Sequence, residues 1–369
     1  MLSQRFKNNL KPIVKYVGSQ EKERRKVKLD FLERLAKDYK YKHINCPCGY
    51  NGTFDNIAFK DIDGIPVFIV ICRNCGLIMQ NPQPDEFTLK DYYNNYYPKM
   101  FPFSSNNYSE YKNMHRRGQI IYEYISKKLS CYASPIIKGK RILDIGCGLG
   151  GIMSYFRECG HICEGIDLNA EVIEFARSQG HNVRNSSLSE FIKQGYDKFD
   201  LIIYNHVLEH VNDTGIELAA VQSVLKENGY IFIGVPSLFY GIKKYDWDLQ
   251  YYLSYAHNFY FTEGTLNNIM SINGFKKLSI DDSPVLSAGK GEDLFAIFQP
   301  IFKNNQYEIV NYYFKNMNFL YDSEDLYNNT RFKIKRILRK INFGLMYFAS
   351  LLLTNRTKLF LKKILLYRQ

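Results

Sequence analysis

Apolar positions are most regularly arranged between residues 141 and 299. Short runs rich in Ile, Leu, Val and Phe alternate there with stretches whose apolar residues recur every three or four positions, the spacing of amphipathic helices. The runs at 141–145, 161–166, 182–184, 199–204 and 229–236 predict five strands, and 152–159, 171–179 and 215–226 predict helices between them. Runs at 275–280 and 293–299 predict a closing hairpin, and helices are expected over 108–129 and 263–272. Strands alternating with helices make a doubly wound α/β sheet, here of seven strands. Ahead of it, Leu10, Ile13, Val14 and Val17, then Val27, Leu29, Phe31, Leu32 and Leu35, carry helical spacing broken at Gly18-Ser19. Strands are expected at 54–60 and 65–71, and a polar, aromatic helical stretch at 302–329.

The strand at 141–145 runs past Asp144 into Gly146, Gly148, Gly150 and Gly151. Glycine accepts positive φ and lets backbone N–H groups reach a ligand, so this is a strand, a tight turn and a helix start built for close approach. The next strand ends in Asp167, placed to accept hydrogen bonds from ribose hydroxyls. Gly146, Gly148 and Gly151 satisfy the spacing of a dinucleotide site; Gly146, Gly148 and Gly150 satisfy that of S-adenosylmethionine enzymes. The turn alone leaves both open.

Composition adds an uneven charge. The 369 residues carry a net +12, yet residues 1–43 hold 13 Lys/Arg against 5 Asp/Glu and 331–369 hold 11 against none, so the middle of the chain is acidic. Basic ends on an acidic core point to an anionic surface touched by the termini, not to a nucleic-acid groove through the core. The tail interleaves Arg331, Lys333, Lys335, Arg336, Arg339 and Lys340 with Phe332, Ile334, Ile337, Leu338 and Ile341. Its apolar run at 343–353 is too short to span a bilayer, and a basic helix lying on an anionic membrane is expected over 331–369.

Eight cysteines with no secretory leader lead us to expect a reducing cytoplasm, where paired cysteines are metal ligands before they are disulfides. Cys46-Pro47-Cys48-Gly49 and Cys72-Arg73-Asn74-Cys75-Gly76 have the form of the two knuckles of a zinc ribbon, with four thiolates for structural Zn2+. The first knuckle is one residue shorter than usual, which leaves His43 as a further candidate ligand. Cys131, Cys147, Cys159 and Cys163 read as core thiols.

The second knuckle is followed by Asn81-Pro82-Gln83-Pro84 and the pairs Tyr92-Tyr93 and Tyr96-Tyr97. This segment resembles the zinc-binding region ahead of bacterial sugar and glycan methyltransferases. From Arg141 to Pro236 the chain also resembles class I S-adenosylmethionine-dependent methyltransferases: the Asp-x-Gly-x-Gly-x-Gly turn, the acid after strand two, Leu208-Glu209-His210-Val211 after strand four and Gly229-Tyr230 to Pro236 in strand five agree in order and spacing. The resemblance implies S-adenosylmethionine held by Asp144, Gly146, Gly148, Gly150, Asp167 and Leu168, with Ser187 near the adenine and Asn205 after strand four. It implies that one of Tyr92, Tyr93, Tyr96 and Tyr97 reaches the active site. There is no Asn-Pro-Pro-aromatic run after strand four, which argues against amino-methylation of adenine or glutamine.

Methyl transfer to a hydroxyl needs alignment and a base. His257, in Ala256-His257-Asn258-Phe259-Tyr260-Phe261-Thr262, is the first candidate base and His206 the second, with His210 read as structural. Sugar C-methyltransferases place a Glu-His pair at the first of these; Ala256 replaces that Glu, so O-methylation is expected. Tyr-rich residues 240–255, with Trp247 and Asp248, suit stacking on sugar rings or a lid with its own small core, and a flexible loop is expected at 287–291, whose Lys290 would suit an acidic acceptor. The chain is thus expected to comprise a basic helical segment (1–43), a zinc-ribbon-like module (44–98), a methyltransferase domain (99–300) and a basic helical tail (301–369). It would O-methylate a sugar or glycan in surface polysaccharide biosynthesis, at the inner face of the membrane. Rival readings are C-methylation of a nucleotide sugar, RNA methylation, which the acidic core opposes, and a non-catalytic membrane-associated scaffold.

Overall fold

The computed structural model describes residues 2–7, 19–38, 40–100, 107–131, 138–301 and 307–335. In chain order its main elements are α1 (Ser19–Lys37), β1 (Phe54–Lys60), β2 (Pro66–Cys72), β3 (Ile78–Gln80), α2 (Asn107–Ser130), β4 (Arg141–Ile145), α3 (Gly151–Glu158), β5 (Ile162–Asp167), α4 (Ala170–Ser178), β6 (Asn182–Asn185) and α5 (Leu188–Lys193). They continue with β7 (Phe199–Asn205), α6 (Thr214–Val224), β8 (Leu225–Val235), α7 (Leu238–Lys244), β9 (Phe259–Tyr260), α8 (Glu263–Ile272), β10 (Phe275–Asp282), β11 (Leu294–Pro300) and α9 (Tyr313–Asn328).

Seven strands form one sheet in the order β10-β11-β8-β7-β4-β5-β6. The pairs β4–β5, β4–β7, β5–β6 and β7–β8 are parallel, and β11 runs antiparallel between β8 and β10. This is the doubly wound α/β sheet expected from the alternation of patterns. Helices cover both faces, so the central strand β7 is apolar on both: Phe199, Leu201, Ile202, Ile203 and Tyr204 are all buried. The strand order reverses between β4 and β7, which opens a crevice beyond their carboxyl ends. Gly146 follows the first of these strands and His206 the second, so the two stretches singled out by chemistry meet at the switch point.

A second, four-stranded antiparallel sheet has the order β9-β3-β2-β1. Three strands come from the cysteine module and the fourth from beyond residue 250: Met79 pairs with Phe259, and Ile78 with Tyr260. Helix α1 buries Phe31 against Tyr92, Tyr96 and Tyr255, with ring centroids 5.4, 4.9 and 5.0 Å away. Tyr92 and Tyr96 lie on a helical stretch over 86–100 that contains a π-helical turn at Tyr92–Tyr96. The expected loop at 287–291 is instead part of a small hairpin, Val285–Leu286 against Gly289–Lys290. Leu10, Ile13, Val14 and Val17, and residues 336–369 with most of the expected basic tail, lie outside the described residues. Of that tail, Lys335 pairs with Asp246 at 2.9 Å.

Helix α9 closes over the second knuckle. The Tyr312 N–H donates to Cys75 O (3.3 Å), and Asn316 Nδ2 donates to Gly76 O (2.9 Å). Gly76 has φ +77°, and a Cβ there would sit 2.5 Å from the carbonyl carbon of Tyr312. Gly76→Ala therefore meets both a backbone penalty and a rigid neighbour. We expect a loss of about 2–3 kcal/mol in urea denaturation; an unchanged midpoint would show that α9 does not seal the knuckle.

Candidate active site

The first cavity, about 430 Å³, lies beyond β4 and β5. Its floor is the turn that joins β4 to α3. Gly146 has φ +72°, and a Cβ there would lie 2.5 Å from Val207 Cγ2, so any side chain would push into the loop after β7. Asp167, at the end of β5, accepts from the Gly148 N–H (2.9 Å) through one oxygen and the Asn169 N–H (2.9 Å) through the other. Burial raises its carboxyl above the ordinary range, and these two donors pull it part of the way back. Gly146, Gly148, Asp167, Leu168 and Ser187 all line the cavity. Ser187 also caps α5, accepting from Glu190 N. Asp144, Gly150 and Asn205 do not line it. Asp144 is buried under the turn, its carboxyl pushed well above the usual range by burial and by Asp167. Gly150 begins α3, and Asn205 accepts from Arg117 Nη2 at 2.8 Å.

The second cavity, about 510 Å³, is walled by Tyr240, Tyr245, Tyr251 and Tyr252, by the ion pair of Lys244 with Glu292, and by His257. Tyr245 and Tyr251 stack, with centroids 5.5 Å apart. Trp247 is turned away onto Phe319 and Phe332. Lys290 sits 4.3 Å from the centre of the Tyr240 ring. The two cavities share Tyr97, His206 and His210. The four tyrosines that sequence left equivalent are thereby separated: Tyr92 and Tyr96 are core, Tyr97 lines both cavities, and Tyr93 lines the first with its hydroxyl 2.8 Å from His210 Nδ1.

The shared wall is a cluster of charge. His206 has φ +57°, a conformation held by its surroundings. Its Nδ1 lies 3.2 Å from Glu209 Oε1 and its Nε2 lies 3.1 Å from Asp293 Oδ2. Its side chain is 41% exposed to the cavities, and although desolvation by the surrounding wall works the other way, Asp293 and then Glu209 raise its pKa to about 9, which favours the protonated ring at neutral pH. Arg117, from the middle of α2, pairs with the same Asp293 and reaches Asn205. His257 is the opposite case: burial, with His210 beside it, pushes the imidazole down to about 3. Of the two histidines proposed from sequence as bases, one is therefore already protonated and the other is held neutral. Glu209, Arg117 and Asp293 were missed as site residues. Glu209 stood in the Leu208–Val211 run, Arg117 in the middle of the helix expected over 108–129, and Asp293 at the start of the run at 293–299.

His257 is positioned by its neighbour. Asn258 is fully buried, and its side-chain amide lies within hydrogen-bond distance of His210 O (3.1 Å), Val211 O (3.1 Å) and Asn212 Oδ1 (2.9 Å). Its backbone N–H donates to Glu209 O at 2.7 Å, and its own carbonyl accepts from Gln80 N at 2.8 Å. One residue thus ties the turn after β7, the loop before β9 and the end of β3.

The cysteine module ends in four sulfurs. Cys46 Sγ is 3.5 Å from Cys75 Sγ, and Cys48 Sγ is 3.8 Å from Cys72 Sγ. A tetrahedral ion with Zn–S bonds of ~2.3 Å needs sulfur separations of ~3.8 Å, and the group fits. His43 is exposed. Leu77 N and Asn74 Nδ2 approach Cys75 Sγ and Cys48 Sγ at 3.5 and 3.6 Å, as outer-shell donors to thiolates. Asn258→Ala removes the donors that join the two walls and leaves buried carbonyls unpaired; a loss of about 2 kcal/mol in denaturant titration is expected, and a loss under half of that would show that the tie is dispensable.

Residues 115–280 match a family model described as a methyltransferase domain. The ubiquinone biosynthesis O-methyltransferase of Aromatoleum aromaticum is 29% identical over 130 residues, covering 34% of this chain and 53% of that protein. The enzyme of the same name from Aeromonas salmonicida is 33% identical over 132 residues, covering 34% and 52%. The chain thus spans about half the length of the curated relatives it matches. Among solved structures, the plantazolicin methyltransferase BpumL in complex with SAH is 15% identical and aligns over 58% of this chain and 93% of that one, with a TM-score of 0.45. The crevice at the switch point, its glycine floor and Asp167 fall inside the matched residues, and that central part of the chain is an S-adenosylmethionine-dependent methyltransferase domain.

Proposed function

We propose that this protein transfers a methyl group from S-adenosylmethionine to a hydroxyl of a sugar-containing acceptor. The observation that carries this reading is the pair of cavities sharing Tyr97, His206 and His210. The donor occupies the first, its ribose against Asp167 and its methyl toward the shared wall. The acceptor occupies the second, where stacked tyrosines and the Lys244–Glu292 pair suit a ring that carries hydroxyls on an apolar face. Transfer is an in-line displacement, so the chief work of the protein is to align the acceptor oxygen, the methyl carbon and the sulfur. The acceptor proton is lost on the shared wall beside His210 and His257, since His206 between Asp293 and Glu209 already carries its proton. O-methylation agrees with the similarity to ubiquinone biosynthesis O-methyltransferases. The stacked Tyr245 and Tyr251 favour a second reading, in which the tyrosine wall receives an aromatic ring that carries the hydroxyl.

The four thiolates of Cys46, Cys48, Cys72 and Cys75 hold a structural Zn2+ in this proposal; their separations and outer-shell donors support it. Two measurements check these readings. Incubation with S-adenosylmethionine and a panel of nucleotide sugars, glycans, phenols and RNA should add one methyl mass to a sugar, while Asp167→Ala should weaken donor binding in calorimetry at least tenfold, about 1.4 kcal/mol. Donor affinity unmoved by that substitution overturns the donor placement, and methyl gain only on phenols or RNA overturns the sugar acceptor. Metal analysis of the purified chain should give one zinc that is lost in Cys72→Ser together with several degrees of melting temperature. A metal-free protein of the same stability overturns the zinc site.

A further inference from the structure

Glu209, His210 and His257 place one carboxylate oxygen and two imidazole nitrogens within 4.8 Å of one another. They come from two segments: the 3₁₀ turn Leu208–His210 after β7, and the loop before β9. Asn258 locks those segments together. The group lies where the two cavities join, since His210 lines both and His257 lines the second.

Two independent details point to a ligand at this group. Glu209 is 1% exposed; its Oε1 faces His206, and its Oε2 has no hydrogen-bond partner among the described residues. A buried carboxylate oxygen without a partner is costly and calls for an occupant. His210 Nδ1 lies 2.9 Å from the carbonyl oxygen of Ala256, to which it can only donate. With the proton on Nδ1, where the Ala256 carbonyl and the Tyr93 hydroxyl (2.8 Å) can both accept it while that hydroxyl donates to the same carbonyl, Nε2, 3.7 Å from Glu209 Oε1, is left as a lone pair. A ring whose far N–H is held by a carbonyl is the usual posture of a metal-binding histidine.

We propose that Glu209, His210 and His257 form a divalent-metal site that binds the acceptor hydroxyl beside the methyl donor. The inference rests on the hydroxyl-methylation reading above for its chemistry, but not for its geometry. Two imidazoles and one carboxylate suit Mn2+, Fe2+, Co2+ or Zn2+ better than Mg2+, and three protein ligands leave open positions for a substrate oxygen. The acceptor O–H bond breaks, and its proton passes to water in the open second cavity. The alkoxide oxygen then attacks the methyl carbon, forming the C–O bond. The C–S bond breaks with its electron pair going to sulfur, which leaves the neutral thioether product. No oxidant or reductant is consumed. The soft thiolates of the cysteine module and this nitrogen–oxygen set differ enough in character to be told apart by the ion used.

The test uses Mn2+ as probe on the full chain, stripped of loosely held metal, with paramagnetic resonance reading bound against free ion. Wild type should bind one Mn2+, and Glu209→Gln and His257→Ala should each weaken it tenfold or more. Calorimetry with S-adenosylmethionine on the same variants reports whether the fold is kept, and His257→Gln supplies a gentler substitution should His257→Ala lose donor binding. No saturable Mn2+ binding to wild type, or equal binding in donor-competent variants, overturns the site. Methyl transfer at full rate in chelator-treated enzyme overturns the role in transfer while leaving the methyltransferase reading intact. Mn2+ bound by wild type and lost in the variants, with no methyl transferred to any hydroxyl, supports the site and sinks the hydroxyl-methylation reading instead.

Discussion

A carboxylate buried to 1% exposure has to be compensated, and the junction of the two cavities is organised by that requirement at Glu209. The same carboxylate holds the ring of His206, whose other nitrogen meets Asp293, which in turn meets Arg117 from α2. A chain of alternating charge therefore runs from the helix that covers the sheet, through the ends of β7 and β11, to the loop before β9. Removing one member strands its neighbours, which is why such networks rigidify the place where they occur.

That rigidity matters because the site is assembled from two sheets. The donor cavity belongs to the seven-stranded sheet, where the turn after β4 and the acid after β5 arise from contiguous sequence. The second cavity is partly walled by His257 in the loop leading into β9, which is a strand of the cysteine module's sheet and not of the large one. The module therefore does more than precede the catalytic domain. Its β3 pairs with β9, and Gln80 N donates to the carbonyl of Asn258, one residue from His257. Helix α9 then seals the second knuckle through Tyr312 and Asn316.

The tyrosines show how position and role separate. Tyr92, Tyr93, Tyr96 and Tyr97 are alike in type and lie within six residues of one another. A π-helical turn at Tyr92–Tyr96 sets their directions, and α1 supplies Phe31 to cover two of them. Only Tyr93 and Tyr97 are left to face the cavities. Trp247, which composition made conspicuous, packs against Phe319 and does not line the second cavity.

What the amino-acid sequence determined by itself is what short range encodes. The alternation of periods specified the doubly wound sheet, the glycines after β4 specified a turn open to a ligand, and the cysteine spacing specified two knuckles. Each of these is a contact or conformation among residues a few positions apart, so composition and spacing carry it. The tertiary structure decided the rest. Arg117 and Asp293 are 176 positions apart, and Tyr93 and His210 are 117 apart. His257 is brought to Glu209 only by the pairing of β3 with β9 and by a buried asparagine. Side chains that meet across such distances leave no period in the sequence, because what joins them is the register of strands and the need of buried charge for a partner.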